Sequence, residues 1–371
     1  MSAQDERSKG RRRARDLGIP FEGTPGTFDS ITDVDGVEVG HTTLISGEGE
    51  LKVGIGPVRT GVTVVSPRGK RSNDPTFAGW FSLNGNGEMT GTTWVEESGF
   101  LEGPVMLTNT HSVGTVRDAV IAWQMKHDQR RDVSWSLPVV AETYDGYLND
   151  INGFHVKQEH VFQALDQTEP GPVPEGNVGG GTGMICYEFK GGIGTASRKL
   201  EEKHGGYTVG VLAQCNYGMR SQLRIAGVPV GLEITGNTIW SKETGSIIII
   251  VATDAPLMPH QMKRLARRAS LGLARNGSIS SNGSGDIFIA FSTANSEAAR
   301  SKEIAQLTML PNDLMNPIFE ASIQATEEAI INALVAAETM VGVNNRKVIA
   351  IPHDRLKEVM RKYNRLVEPR G

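Results

Sequence analysis

Alternating apolar and polar residues mark the strands that the chain is expected to form. The alternation begins at ITDVDGVEVGHTT, where VDG predicts a turn. Later segments of similar character predict strands over residues 61–67, 104–110, 137–146, 207–218 and 285–293. Residues 246–257 start with an almost unbroken β-branched run, SIIIIVA, which is typical of a strand covered on both faces. We therefore expect the strand at 246–257 in the middle of a sandwich.

Segments with helical spacing of apolar residues alternate with these strands. They cover residues 112–127, 253–277, 317–342 and 353–367. The second of these helices is expected to start after Asp254 as its N-cap and to end at Gly277. Interleaved strands and helices of this kind predict an α/β fold. We expect two packed sheets inside and helices outside, in a four-layer α/β/β/α sandwich.

Two segments stand apart from these elements. Residues 1–25 are polar, basic and glycine-rich, so we expect a mobile N-terminal arm before a single sandwich domain of residues 26–371. Residues 169–184 are rich in glycine and proline, which leaves two interpretations. The simpler one is a solvent-facing connection. The other is that backbone amides of NVGGGTG line a site, because glycine permits close approach of the backbone.

Charge argues against two classes of partner. The 371 residues carry a formal net charge of -4, whereas binding to nucleic acid or to a membrane surface needs a basic face. We therefore expect neither partner, and a small molecule or peptide as substrate. The basic run from Arg11 to Arg15 is followed by DLGIPFEGTPGTFDS and not by an apolar stretch, so we expect no export signal, no transmembrane helix and a cytoplasmic location.

The potential metal ligands do not form a recognisable site. Cys186 and Cys215 are too few for a disulfide framework and lack metal-ligand spacing, so we expect both to be buried strand residues. The eight histidines include no HxxxH or HExxH pair. Glycine clusters such as GTGMIC do not match the phosphate-binding GxxxxGK[ST] pattern. We expect neither a metal nor an organic cofactor.

The junction of Gly245 and Ser246 is the candidate reactive point. The chain has no GxSxG elbow and no SxxK motif, so a nucleophile needs another means of activation. A freed α-amine has a pKa of about 7.7 to 8.0 and can take the proton of a neighbouring hydroxyl. Such an amine must be made by cleavage before a Ser, Thr or Cys that opens a rigid strand. By residue type alone, a turn entering a buried strand is the favoured explanation of Gly245-Ser246.

Several long segments decide between these explanations. They are RRARDLGI, NGNGEMTG, LTNTHSVGTVRDA, VVAETYDGYLND, AQCNYG, GSIIIIVATDAPLMPHQ and SGDIFIAFSTAN. Together they run over nearly the whole chain, which resembles the self-processing serine aminopeptidases, a family that includes L-aminopeptidase/D-esterase-amidase and the β-peptidyl aminopeptidases. The resemblance implies the fold of N-terminal-nucleophile hydrolases. It also implies cleavage at Gly245-Ser246 into an α-chain of residues 1–245 and a β-chain of residues 246–371, with Ser246 as nucleophile.

The same resemblance assigns roles to residues that would otherwise have simple turn or strand-end explanations. Asn216 matches the donor to the oxyanion, and Ser284 and Asp286 match the groups that relay protons to the Ser246 amine. Glu142 matches the carboxylate that holds the free amino group of the substrate. Tyr144, two residues further on, is expected to face the same way and to be one of the catalytic residues. Other residues in matching segments are Asn84, Asn86, Glu88 and His111. NGNG by itself also predicts a hairpin.

The function implied is an aminopeptidase, amidase or esterase that releases N-terminal residues of the L-α, D or β type from short peptides, amides or esters. Members of the family are usually oligomeric, so a homo-oligomer of αβ units is expected. An alternative is an acyltransferase resembling ornithine acetyltransferase, but that family uses threonine as nucleophile, whereas position 246 is serine. A third possibility is an uncleaved scaffold that has lost the chemistry.

Overall fold

The strands and helices follow one another in the expected alternation. The structure is a computed structural model and describes residues 12–127, 135–239, 245–300 and 303–367. Its strands are β1 (Glu38–Ser46), β2 (Val58–Ser66), β3 (Thr76–Gly85), β4 (Phe100–Leu101), β5 (Val105–Asn109), β6 (Val139–Thr143), β7 (Ile185–Cys186), β8 (Phe189–Lys190), β9 (Gly192–Lys199), β10 (Thr208–Asn216), β11 (Ser246–Thr253), β12 (Gly285–Ser292), β13 (Met340–Val341) and β14 (Lys347–Val348). Its helices are α1 (Thr92–Ser98), α2 (Val113–His127), α3 (Gln158–Asp166), α4 (Val230–Glu233), α5 (Pro259–Arg275), α6 (Asn316–Val335) and α7 (His353–Lys362).

Two large sheets form the centre of the domain. One has four strands in the order β1-β2-β5-β6, and the other has six in the order β4-β3-β12-β11-β10-β9. In the larger sheet, β11 is central, antiparallel to β10 and parallel to β12. The all-buried SIIIIVAT run of β11 therefore has a paired strand on each side, as its unbroken β-branched sequence predicted.

The sheets pack face to face and helices cover their outer faces. One buried apolar cluster lies between the sheets and joins Leu107 and Val139 of the smaller sheet to Ile248 and Ile250 of the larger one. Helices α5 and α6 pack on the larger sheet, and α2 and α3 pack on the smaller one. This arrangement confirms the predicted α/β/β/α sandwich.

Helix α5 starts later than predicted. It begins at Pro259 with Met258 in the N-cap position. Asp254, the predicted N-cap, instead accepts a hydrogen bond of 2.7 Å from the backbone N–H of Thr208. The prediction was wrong because the aspartate satisfies a donor at the start of β10, a partner that lies 46 residues away in sequence.

The part of the predicted N-terminal arm that the structure describes is packed, not mobile. Ala14, Leu17 and Ile19 are buried in the apolar cluster beneath the larger sheet. Arg13 forms an ion pair of 2.8 Å with the buried carboxylate of Glu175. Residues from position 12 onward therefore belong to the folded domain, which corrects the predicted boundary. The remainder of the predicted arm, residues 1–11, lies outside the described residues.

The structure also reports on the cysteines, on membrane-spanning helices and on metal ligands. Cys186 and Cys215 are both free and buried in strands, as expected. Across the described ranges, no helix is both long enough and apolar enough to cross a bilayer. Within the same ranges, no group of three or more His, Cys, Asp or Glu side chains is arranged to hold a metal ion.

Candidate active site

Ser246 opens the central strand of the larger sheet. Its direct partners are Asn216 at the end of β10 and Gly285 at the start of β12. The backbone N–H of Gly285 donates a hydrogen bond of 3.1 Å to Ser246 Oγ. Ser246 is 6% exposed, so its hydroxyl is held in a buried site with an N–H donor already directed at it.

The residue before Ser246 has room only for glycine. A Cβ atom on Gly245 would lie 2.1 Å from the backbone oxygen of Asn216 and 2.9 Å from Cα of Tyr217. Contacts shorter than 3.0 Å against backbone atoms cannot be relieved by a side-chain rotation. The backbone of Gly245 is therefore pressed against the end of β10, immediately before the candidate nucleophile.

The amide side chain of Asn216 is fixed at both ends. Its Oδ1 accepts a hydrogen bond of 2.8 Å from the N–H of Ile185, and its Nδ2 donates one of 2.9 Å to the backbone oxygen of Tyr144. Because an amide nitrogen carries two hydrogens, one of them stays available for a second acceptor. This arrangement suits a donor to a developing oxyanion beside Ser246.

The N–H that orients Asn216 follows the glycine-rich segment 169–184. From Glu175 to Met184 this segment is largely buried, and Gly179–Gly181 forms a short 3-10 helix against the two sheets. The simpler interpretation, a solvent-facing connection, is therefore wrong for these residues. The close approach that glycine permits is real: a Cβ on Gly180 would lie 2.2 Å from Oε1 of Gln214.

Gln214 also joins the two sheets next to the site. From β10 its Nε2 donates to the backbone oxygen of Thr108 at 3.0 Å and to Oγ1 of Thr143 at 2.9 Å. Both acceptors belong to the smaller sheet, at the ends of β5 and β6. This bridge fixes Thr143, which lies between Glu142 and Tyr144 in sequence.

Ser284 and Asp286 form a buried pair. Ser284 Oγ donates a hydrogen bond of 2.6 Å to Asp286 Oδ1, and both residues are 1% exposed. Gly285, between them, supplies the N–H that contacts Ser246 Oγ. The spacing of two residues thus brings a hydroxyl and a carboxylate close to the strand position next to Ser246.

The NGNG segment does not form the hairpin that its sequence predicts. Asn84 Nδ2 donates to the backbone oxygens of Ser280 and Ser281, and Asn86 Nδ2 donates to the backbone oxygen of Gly283 at 2.8 Å. These bonds hold the loop that leads into Ser284. The asparagine side chains bind a loop distant in sequence and do not close a hairpin turn. The chain passes through helix α1 before it reaches the next strand, β4.

Glu142 is a buried carboxylate with two donors. It is 3% exposed, Oε1 accepts the N–H of Glu88 at 3.0 Å, and Oε2 accepts the hydroxyl of Thr110. Burial raises the pKa of Glu142 above the ordinary value, and the hydrogen bonds from Thr110 and from the Glu88 N–H oppose that rise. A carboxylate held in this way is suited to pair with a cation.

Gly87 lies beside both this carboxylate and Gly285, the register partner of Ser246. A Cβ on Gly87 would lie 3.2 Å from Cα of Gly285 and 3.4 Å from Oε1 of Glu142. The carboxylate of Glu142 and the backbone of Gly285, whose N–H contacts Ser246, therefore both border the same point beside Gly87. The Glu142 carboxylate therefore lies a short distance from the backbone next to Ser246.

Tyr144 and His111 lie on the more open side of the site. Tyr144 is 52% exposed, and its hydroxyl is packed over Gly146, where an added Cβ would lie 2.3 Å away. The backbone oxygen of Tyr144, not its ring, contacts Asn216. His111 stacks on Phe154 with ring centroids 6.0 Å apart and lowers the pKa of Glu142 through its charge.

Three contributors were not identified from the sequence. They are the hydroxyl of Thr110 and the backbone N–H groups of Gly285 and Ile185. Thr110 and Gly285 do lie in segments that carry the family resemblance, TNTHSVG and SGDIF. A backbone N–H has no signature of its own in a sequence, so only the tertiary structure reveals its partner.

Comparison with known proteins gives one consistent result. Residues 29–348 match the model of peptidase family S58. A β-peptidyl aminopeptidase, BapA of Sphingosinicella microcystinivorans, is 56% identical across 95% of this chain and 93% of its own. The solved L-aminopeptidase D-Ala-esterase/amidase of Ochrobactrum anthropi, described as a variant of the Ntn hydrolase fold, is 49% identical with a TM-score of 0.90 over 95% of this chain and 99% of its own. A β-aminopeptidase of Burkholderia sp. is 48% identical with a TM-score of 0.88, over 97% and 100%.

Proposed function

The chain belongs to peptidase family S58 and is a serine aminopeptidase, and we propose that Ser246 is its nucleophile after scission of the Gly245-Ser246 bond. The observation that carries the proposal is the placement of Ser246 Oγ, 3.1 Å from the Gly285 N–H at the head of a buried strand. Scission makes an α-chain of residues 1–245 and a β-chain of residues 246–371. The β-chain then begins with both a nucleophilic hydroxyl and a free amine.

The first stage is self-cleavage. The hydroxyl of Ser246 attacks the carbonyl carbon of Gly245, the C–N bond breaks as the acyl group moves from nitrogen to oxygen, and water hydrolyses the resulting ester. The tight packing of Gly245 against Asn216 supports this step, because it restricts the geometry of the scissile peptide.

The second stage is turnover. The freed amine of Ser246 takes the hydroxyl proton, and the oxygen attacks the substrate carbonyl. The amide of Asn216 stabilises the negative charge on the tetrahedral intermediate, and the leaving amine departs with a proton. Water then releases the acyl group from Ser246. The hydrogen bond of 2.6 Å between Ser284 and Asp286 supports a role for this pair in orienting or relaying those protons.

Glu142 recognises the substrate by its free amino group. An ammonium beside a buried carboxylate forms a strong charge-assisted hydrogen bond, and a blocked amine cannot form it. The site therefore takes short peptides, amides or esters with an unblocked N-terminal residue. We propose β-residues as the first class to assay, since a similar protein with 56% identity is named a β-peptidyl aminopeptidase.

The test is the Ser246→Ala variant. The wild-type protein is expected to run as two fragments on denaturing electrophoresis, and the variant as one species near 40.0 kDa without aminopeptidase activity. Ser292→Ala is the matched control, because Ser292 is another buried strand serine whose hydroxyl bonds a backbone oxygen at 2.6 Å. This control is expected to be cut and active. Two fragments from Ser246→Ala would contradict the choice of nucleophile.

The acyltransferase alternative is not favoured, since the similar proteins are aminopeptidases and position 246 is serine. A homo-oligomer of αβ units and a cytoplasmic location stay predictions. Sedimentation of the purified protein measures the first of these directly.

A further inference from the structure

Lys190 is a lysine buried behind the site, at the end of β8. Its side chain is 0% exposed, and Nζ donates hydrogen bonds to the backbone oxygens of Met184 at 2.6 Å, Gly191 at 2.8 Å and Gly181 at 3.3 Å. Removing an ammonium from water is costly, and an apolar side chain of similar length fills the same space without that cost. The position of this charge therefore calls for a reason beyond packing.

A continuous chain of hydrogen bonds runs from this ammonium to the candidate oxyanion donor. The carbonyl of Met184 and the N–H of Ile185 belong to one peptide group. Nζ of Lys190 donates to the oxygen of this peptide group at 2.6 Å. The N–H of the same peptide group donates to Oδ1 of Asn216 at 2.8 Å. The other end of the Asn216 amide carries two N–H groups, one of which donates to the backbone oxygen of Tyr144 at 2.9 Å.

Each amide in this chain transmits polarisation. The C–N bond of an amide has partial double-bond character, so a cation on the oxygen draws electrons from nitrogen and strengthens the N–H as a donor. The positive charge of Lys190 thus acts first on the Met184-Ile185 peptide and then on the side chain of Asn216. The result is an Asn216 N–H that is a stronger donor than an ordinary asparagine supplies.

We propose that Lys190 is a positioning residue that orients and polarises Asn216 for stabilisation of the oxyanion. The inference rests on the proposed function, because it assigns Asn216 to that role. Lys190 contacts neither Ser246 nor the substrate in this scheme and acts only through the Met184-Ile185 peptide.

The local fold places Lys190 for this purpose. Strands β7 and β8 form a two-residue hairpin in which Ile185 pairs with Lys190. Its turn residues, Tyr187 and Glu188, have φ of 50° and 59°, a left-handed conformation that is costly for residues other than glycine. Arg220 braces the turn by donating to the backbone oxygens of Tyr187 at 2.9 Å and Glu188 at 2.8 Å.

The test begins with Lys190→Met, which keeps the length of the side chain and removes the charge. We expect kcat to fall about tenfold with KM little changed, since an oxyanion donor acts in the transition state and its complete removal costs about 10² to 10³ in kcat. Rates are expressed per mole of β-chain, counted by its N-terminal serine. If Lys190→Met does not fold, Lys190→Gln removes the charge and keeps an N–H donor.

A double-mutant cycle separates polarisation from general support of the fold. In an Asn216→Ala background the same Lys190 substitution is expected to change kcat less than twofold, because the group through which it acts is gone. If a variant cleaves itself too slowly for kcat to be measured, the rate at which the two fragments appear is compared instead. The comparison covers wild type, Lys190→Met, Asn216→Ala and the double variant. An equal loss with and without Asn216, or an unchanged kcat in the single variant, would overturn the proposal.

Arg59→Met is the matched control. Arg59 is also a buried cation held by backbone oxygens, those of Val341, Ser46 and Val58 among them. It is expected to lower the melting temperature and to leave kcat unchanged. Activity in Ser246→Ala would defeat the proposed function itself, whereas an inactive Ser246→Ala with an additive Lys190 effect would defeat only the present inference.

Discussion

The hydroxyl of Thr110 donates a hydrogen bond to the carboxylate of Glu142 across two parallel strands. Thr110 follows the end of β5 and Glu142 lies in β6, where its register partner is Thr108. The bond favours the ionised carboxylate and so opposes the rise in pKa that burial causes at Glu142. Thr110 therefore influences the pKa of Glu142, which burial raises, without needing to touch the substrate.

The Thr110→Val variant tests this balance. Loss of the hydrogen bond raises the pKa of Glu142 further, so a higher pH is needed to ionise it. We expect the acid limb of kcat/KM to move to higher pH, with a severalfold loss of activity on that limb and a small change on the plateau. Thr110→Ser, which keeps the hydroxyl, is expected to retain the wild-type profile. An acid limb that did not move would show that another group controls it.

The Glu142→Gln variant tests recognition of the free amine. Removing one partner of a buried charge pair leaves the substrate ammonium unpaired, so we expect kcat/KM on amino-acid p-nitroanilides to fall about a hundredfold. Slow cleavage of the N-acetylated substrates is expected to change little. Glu96→Gln is the control, because Glu96 is a half-exposed glutamate that pairs with Lys263 at the surface. Equal losses on both substrate classes would argue against the role of Glu142.

The Gly245→Ala variant tests the constraint at the scissile bond. The added Cβ would meet the backbone oxygen of Asn216 at 2.1 Å, so the peptide must shift. A shift of about 1 Å in a reacting group costs on the order of a hundredfold in rate, and we expect uncut precursor to accumulate to that extent. Gly114→Ala in helix α2 adds the same atom where nothing lies within 4 Å, and normal cleavage is expected there. Wild-type cleavage of Gly245→Ala would show that the packing is not needed.

The Asp145→Asn variant tests a buried carboxyl beside the site. Burial raises the pKa of Asp145 from 3.8 to about 7. Between pH 3.8 and about 7, the Asp145 carboxyl is therefore protonated in the folded protein and ionised in the unfolded chain. Its contribution to stability is full below pH 3.8 and is lost as the pH rises towards 7.

Asparagine cannot ionise, so the melting temperature of Asp145→Asn relative to wild type is expected to increase between pH 5 and pH 8. Asp118→Asn, whose side chain is 78% exposed in the wild type, is expected to show no such trend. A constant difference between Asp145→Asn and wild type over that pH range would contradict a protonated Asp145.

The layers of the fold and the position of the candidate nucleophile could be predicted from the sequence. The β-branched run after Ser246 predicts a strand buried on both faces, and helical spacing predicts α2 and α6 within a few residues at most boundaries. These features are local, because the period of the apolar residues decides which face of a strand or helix can be buried. The long segments that resemble a known family add proposed roles for Asn216 and Glu142, which stay predictions.

Other features depended on pairings between distant segments. Asp254 caps β10 and not a helix, and Ala14, Leu17 and Ile19 join the core. The glycine-rich segment is buried against the two sheets, just before the N–H of Ile185 that donates to Asn216. Residue type does not encode such partners, since a backbone N–H is the same at every position that is not proline.

The sequence by itself therefore determined which residue opens the central strand, which layers enclose it and which family it resembles. Only the tertiary structure decided what surrounds Ser246: the N–H of Gly285, the hydroxyl of Thr110 on Glu142, and the buried charge of Lys190 behind Asn216. The physical reason is that burial and hydrogen bonding at this site arise where two sheets and a glycine-rich segment meet. Because these elements are far apart in sequence, a local sequence pattern does not predict which of them come into contact.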